Sequence, residues 1–293
     1  MKIPFKAVYD MWVKVLQDSK SPKTVVKYKN YLRGLVERLG EFAIEEINDK
    51  KTYIIGYAVA TLNGKTARKN FYNSWNSFKR FVKDYYNIDL FELPKDFKGK
   101  NTVKKPNPLK EEHFQALKQV VCSLPDRETN RERNISLKLV FYLMGYAGLR
   151  LGEALLVREE DLFFKTDETG KEYVKVLIHG KGNKERTVPI FKQEVVDYLK
   201  KFKDYLPPNL THQAVNHRLK YLYRKAVVQI LKENPENFYP HRLRDTYLTR
   251  LADRKIDIRV LQELAGHSSI EMTRRYLGVS QEQMLKEIQK VDF

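Results

Sequence analysis

A single cysteine, Cys122, in 293 residues excludes an internal disulfide. Its apolar setting among Leu117, Val120, Val121 and Leu124 predicts a small buried hydrophobe rather than a nucleophile. The six histidines are scattered, and no His and Cys spacing suggests a metal site. There is no Gly-x-x-x-x-Gly-Lys-Ser/Thr loop, which argues against nucleotide hydrolysis. No stretch approaches the roughly 18 consecutive apolar residues of a membrane span. The start, Met1-Lys2-Ile3-Pro4-Phe5-Lys6, lacks the apolar core of a secretory signal. The expected address is the cytoplasm, with no membrane partner. Acidic residues are also in short supply: 37 Asp+Glu against 55 Lys+Arg leave a formal net charge of +18. That excess favours a polyanionic partner, nucleic acid first, because basic side chains on a phosphate backbone release its counterions.

The charge is uneven along the chain. Residues 1–107 hold 22 basic and 11 acidic residues (net +11), and residues 108–293 hold 33 and 26 (net +7). With 42% hydrophobic residues, the length suits two domains of ordinary size. Ser21-Pro22-Lys23-Thr24 is a cap-plus-proline start to a helix over 21–39, with Val25, Tyr28, Leu32, Leu35 and Leu39 on its apolar face. Lys23, Lys27, Lys29, Arg33 and Arg38 fall on the other face. A second basic amphipathic helix over 65–86 sets Lys65, Arg68, Lys69, Lys79, Arg80 and Lys83 beside aromatics whose spacing marks them mainly as core. Helices near 4–17 and 49–61 complete a four-helix unit. Pro94, Gly99, Pro106 and Pro108 then break the period in a Lys-rich run. We place a first domain at 1–95, a basic linker at 96–108 and a second domain at 109–293.

In the second domain helical patterns cover 110–123, 134–147 and 151–157. The period then shortens: 173–179 and 185–190 are β-rich and flank Gly180-Lys181-Gly182-Asn183, a hairpin signal. Helices resume at 191–203, 211–232, 241–252, 256–265, 268–276 and 280–290. The last carries Met284, Leu285, Ile288 and Val291 as an apolar stripe, suited to docking on a neighbouring protomer or on its own domain.

Five short features carry chemistry together: Gly148-Leu149-Arg150, Lys181 in its hairpin turn, His241-Arg242-Leu243-Arg244, Gly266-His267 and Tyr276. Singly, each has a plain structural reading as a surface arginine, a solvated turn lysine, a capping histidine or one of 18 tyrosines. In order and spacing they resemble the tyrosine recombinase (phage integrase) superfamily. That family's pattern is an arginine, a hairpin lysine, His-x-x-Arg, Gly-His and a tyrosine nine residues after the last histidine; here those two residues are 267 and 276. The hairpin continues as Lys184-x-Arg186-x-x-Pro189, also as in the family. In character the chain is most similar to two-domain Xer-like and archaeal or phage integrases, and the further amino-terminal domain of lambda-type integrases is not expected. One residue departs from the pattern: Asp245 stands where many relatives have histidine.

The resemblance implies a mainly α fold: an amino-terminal four-helix, SAM-like core-binding domain, and an α+β catalytic domain with a small antiparallel sheet and a β-hairpin. The chemistry suits these residue types. An anionic phosphodiester resists a nucleophile, so transfer without a metal needs cations on its non-bridging oxygens, a nucleophile, and an acid for the leaving oxygen. Arg150 and Arg244 suit the first role. His241, three residues before Arg244, reaches the same helix face. His267 suits a further hydrogen-bond donor, and Glu153 suits an orienting partner for Arg150. The resemblance assigns the general acid to Lys181 and the nucleophile to Tyr276. It further implies double-stranded DNA with a specific recombination site, a homotetramer acting on two duplexes through a Holliday junction, and no cofactor or metal. Integration or excision and chromosome-dimer resolution both remain open. So do a type IB topoisomerase and a catalytically silent DNA-binding protein.

Overall fold

The computed structural model describes residues 2–99, 105–126, 130–180 and 184–277. Lys181 and the helix expected over 280–290 therefore lie outside the described residues. The chain divides into two compact units, Met1–Val103 and Lys104–Phe293.

In the first unit, α1 spans Phe5–Ser19 and α2 spans Pro22–Leu39, where proline at the first position presets the helical φ. A 3-10 stretch, Ile44–Lys50, leads into α3, Lys51–Thr61. The long α4, Lys65–Tyr86, ends on Asn87 in the left-handed region. The aromatics are core, as their spacing predicts: Phe5, Trp12, Phe71, Trp75 and Phe78 are buried. Phe78 sits edge-on to both Phe5 (5.4 Å) and Trp12 (5.5 Å). The basic side chains of α2 remain exposed. A single helical turn, α5 (Lys95–Lys98), falls where the sequence suggested linker, and Phe97 is buried against Phe71. Packing of the first unit thus extends past residue 95.

The second unit is organised around α7, Arg131–Tyr146, which is buried from Asn134 to Gly145. Its one buried lysine, Lys138, donates to the Leu124 carbonyl and the Asp126 carboxylate. Before it runs α6, Glu111–Cys122. Cys122 is half-buried rather than buried, and its thiol meets the Tyr142 hydroxyl at 3.1 Å. After α7 the helix expected over 151–157 shrinks to one turn, α8 (Leu151–Ala154).

A strand that the sequence reading missed follows. β1 (Leu162–Thr166) pairs antiparallel with β2 (Glu172–His179), which pairs with β3 (Glu185–Ile190). The β1–β2 turn is closed by the Asp167 carboxylate, which accepts from the Thr169 and Lys171 amides, with Gly170 at φ 84°. Alternation along β2 sends Val174, Val176 and Ile178 into the core. At its end His179, paired with Glu185 of β3, lies between Asp161 (3.0 Å) and Glu185 (2.9 Å).

Next come α9, Gln193–Lys201, and α10, His212–Ala226, which Thr211 caps by accepting from the Ala214 amide. The helix expected to run to 232 changes at Val227–Leu231 into a π turn. α11 (His241–Asp253), α12 (Ile258–Ala265) and α13 (Ile270–Arg274) complete the described part. Among the described residues no helix is long and apolar enough to cross a membrane.

Phe78 packs against three other core aromatics, so Phe78→Ala is expected to cost about 3–5 kcal/mol of stability. The measurement is the urea midpoint of the full chain, followed by tryptophan fluorescence from Trp12 and Trp75.

Candidate active site

The site forms where α12 ends. A helix leaves its last carbonyls without intrahelical partners, and here three arginines supply them. The Leu264 carbonyl accepts from Arg186 Nε (3.1 Å), Ala265 from Arg244 Nη2 (2.5 Å) and Gly266 from Arg150 Nη2 (3.1 Å). Gly266 makes this possible twice over. It stands at φ +59°, and a Cβ there would lie 2.7 Å from the Arg186 guanidinium. Each arginine arrives from a different element: Arg150 precedes α8, Arg186 lies in β3 and Arg244 in α11. Arg244 is 1% exposed, and its Nη1 donates to the Gly148 carbonyl at 2.6 Å.

Glu153 is the counter-charge. Its carboxylate accepts from the Arg150 amide (2.8 Å), Arg150 Nη1 (2.6 Å) and Arg186 Nη2 (2.8 Å), and lies 4.0 Å from Arg244. Burial alone would raise its pKa. The hydrogen bonds from Arg186 and the Arg150 amide, with the charges behind them, hold it instead at about 2. Arg244 is drawn down to about 10, by burial first and Arg150 second, and stays protonated at neutral pH.

His267 follows the same turn. Its Nε2 lies 3.1 Å from Arg244 Nη2 and its Nδ1 lies 2.9 Å from Thr273 Oγ1. A guanidinium can only donate, so Nε2 is the acceptor and Nδ1 carries the proton. Burial, then Arg244 and three further arginines, press its pKa down to about 3, so the ring is neutral. Toward Arg244, then, His267 is an acceptor, and its one N–H faces Thr273.

Tyr276 is 7% exposed, with its ring stacked on His267 at 6.0 Å. Its hydroxyl donates to Asp245 Oδ1 at 2.9 Å. Burial first, then the Asp245 charge and hydrogen bond, raise the phenol well above its usual range. His241 opens α11; its Nε2 is 3.8 Å from Asp245 Oδ1, and its side chain is half-exposed. Burial and the nearby arginines lower its pKa, against the pull of Asp245.

Five of the six sequence-named residues, Arg150, His241, Arg244, His267 and Tyr276, therefore meet in one network; Lys181 lies outside the described residues. The expected Glu153–Arg150 contact is present. Sequence reasoning gave no site role to Arg186, Thr273 or Asp245. Arg186 was visible in the Lys-x-Arg-x-x-Pro pattern and Asp245 as a departure from the family. Among the described residues no three His, Cys, Asp or Glu side chains are grouped to hold a metal ion.

The profile of the phage integrase family matches residues 107–283. The chain belongs to that family. Two relatives resemble this chain over part of their length. Tyrosine recombinase XerA of Pyrococcus horikoshii is 33% identical over 164 residues, 54% of this chain and 55% of that protein. Tyrosine recombinase XerC of Staphylococcus epidermidis is 31% identical over 187 residues, 60% and 58%. The chain thus matches little more than half the length of these relatives. Among solved structures, XerH recombinase bound to palindromic difH substrate superposes with TM-score 0.66 and 16% identity, covering 99% of this chain and 97% of that one. The Tn1549 transposon integrase, solved with transposon right end DNA, gives 0.62 and 17%, covering 99% of each. Both solved structures share this chain's fold.

Glu153 yields a pH-dependent prediction. A carboxylate held at about 2 against 4.5 when unfolded contributes about 3 kcal/mol. Because the folded pKa is the lower one, that stability is complete above pH 4.5 and is lost as pH falls toward 2. Glu153→Gln is therefore expected to lower stability by about 3 kcal/mol at pH 7 and to flatten this acid limb. Urea midpoints measured from pH 7 downward check both.

Proposed function

We propose that this protein is a site-specific DNA recombinase that cuts and rejoins DNA through a 3′-phosphotyrosyl bond at Tyr276. The observation that carries the reading is the connected network at the end of α12. A buried arginine, Arg244, and a second, partly exposed one, Arg150, hold adjacent carbonyls there, and His267 bonds Arg244 and stacks on the ring of Tyr276, whose hydroxyl meets Asp245.

In this reading a DNA phosphate enters beside Arg150 and Arg244, whose guanidinium groups hold its non-bridging oxygens. Each cation contributes on the scale of one oxyanion donor, about 3–4 kcal/mol of transition-state stabilisation. The Tyr276 oxygen attacks phosphorus and the bond to the 5′-oxygen breaks. The leaving 5′-oxygen takes a proton from Lys181, a role that rests on the family resemblance. The phosphotyrosyl ester conserves the energy of the broken bond, so rejoining needs no nucleotide cofactor. His241 and His267 complete the phosphate's surroundings, the latter after its proton moves from Nδ1 to Nε2, which then donates to a phosphate oxygen in place of accepting from Arg244. The basic faces of α2 and α4 provide the electrostatic grip on duplex DNA. The working form is a homotetramer that exchanges strands between two duplexes through a Holliday junction, either in integration and excision or in chromosome-dimer resolution.

The test uses a pool of duplexes of randomised sequence, each carrying a nick that lets the cleaved end diffuse away. The wild-type protein is expected to capture a subset covalently, in complexes that survive denaturant. Tyr276→Phe is expected to bind the recovered duplexes with unchanged affinity and form no covalent complex. A wild-type protein that captures none, or a Phe variant that still does, contradicts the reading. So does relaxation of supercoiled DNA by a monomer regardless of sequence.

A further inference from the structure

We propose that Asp245 is a catalytic residue of this chain, the group that takes the proton from Tyr276 as its oxygen attacks phosphorus. The proposal rests on the reading of Tyr276 as the nucleophile and goes beyond it, since none of the six residues placed in the reaction removes that proton.

Geometry selects Asp245. The Tyr276 hydroxyl donates to its Oδ1 at 2.9 Å, within the reach a general base needs. The other oxygen, Oδ2, accepts from the Asn107 amide at 3.2 Å, which fixes the plane of the carboxylate and keeps Oδ1 for the tyrosine. Asp245 is 5% exposed, so little water competes for either oxygen. The neighbouring histidines are less suited. Both ring nitrogens of His267 are engaged, with Arg244 and with Thr273. His241 meets Oδ1 from 3.8 Å, beside the tyrosine's contact, where it can receive the proton next and pass it to solvent.

A proton acceptor at this point is also required. Burial holds the phenol well above neutrality, so no standing pool of phenolate exists to attack. The hydroxyl must lose its proton while the new bond forms. In that step the Tyr276 O–H bond breaks, its proton passes to Asp245 Oδ1 and the oxygen–phosphorus bond forms. The phosphorus–5′-oxygen bond breaks, its electron pair leaves on the 5′-oxygen, and the general acid protonates that oxygen. Rejoining reverses each transfer, and Asp245 returns the proton to Tyr276. The departure from the family pattern thereby acquires a function: where many relatives place a histidine, this chain places a carboxylate against its tyrosine.

The charged and titratable groups around this contact are His241 and Arg244 on α11, Arg150 ahead of α8, His267 stacked on the tyrosine ring, and Arg275 beside Tyr276. All are unchanged in the variants that test the proposal, so differences in pH response belong to position 245. The measurement is the single-turnover rate of covalent complex formation from pH 5 to 9, using a nicked duplex recovered by the capture experiment. Asp245→Asn keeps the shape, with its oxygen for the Asn107 amide and its NH2 donating to the tyrosine oxygen, but cannot take a proton. It is expected to bind that duplex as wild type does and to react about 10²–10⁴-fold more slowly. Asp245→His is expected to recover part of the rate, with a new acid limb centred near the ordinary histidine value of about 6.5. An Asn variant within about twofold of the wild-type rate overturns the proposal, because a general base contributes at least about a hundredfold. A His variant whose pH profile superimposes on that of wild type overturns it too. Wild-type protein that forms no covalent complex removes the nucleophile and this proposal together; wild-type activity alongside an equally active Asn variant removes the proposal alone.

Discussion

Guanidinium groups brought together where water is scarce repel one another, and each N–H left unmatched carries a desolvation penalty. The second unit meets this constraint in two ways. Glu153 supplies a negative charge shared among Arg150, Arg186 and Arg244, and the end of α12 supplies three consecutive carbonyls, one for each. The helix gains partners for its orphan carbonyls, and those carbonyls, which carry the negative end of the helix dipole, suit cations. The fixed turn then sets His267, the imidazole sets the ring of Tyr276 by stacking, and Asp245 sets its hydroxyl. Removing Glu153 would loosen a chain of contacts reaching the proposed nucleophile, although the two residues do not touch.

A network of this kind is poised for an anion. Arg244 gives three of its five N–H groups to protein acceptors, whereas Arg150 keeps more than a third of its side chain exposed. In the proposed reaction an incoming phosphate finds one cation locked in place and one within reach of solvent, with neutral His267 between Arg244 and Tyr276. Pre-organisation of this sort lowers the reorganisation required at the moment of reaction, which is where electrostatic catalysis gains most.

Much of this was legible in the sequence because it depends on local spacing. The proline start of α2, the aromatic face of α4 and the alternation of β2 follow from periods of 3.6 and 2 residues. The Gly266-His267 turn and the nine-residue step to Tyr276 are local as well. Contacts across long separations were not legible. Glu153 meets Arg186 over 33 residues and Asp245 meets Tyr276 over 31, and neither pairing leaves a periodic trace. β1 was missed for another reason: its five residues alternate poorly, with only Leu162 buried, and its signal lay in the Asp167–Gly170 turn that follows. Asp245 showed only as a mismatch to the family pattern, and its place against the tyrosine needed the fold.

The central claim is that this chain joins itself to DNA through the oxygen of one particular tyrosine. Digesting a trapped protein–DNA complex with protease and nuclease, then sequencing the nucleotide-bearing peptide by mass spectrometry, addresses it directly. The account requires a 3′-nucleotide on Tyr276, in the peptide that follows Arg275. A nucleotide on any other residue, or one linked through its 5′-phosphate, would contradict it.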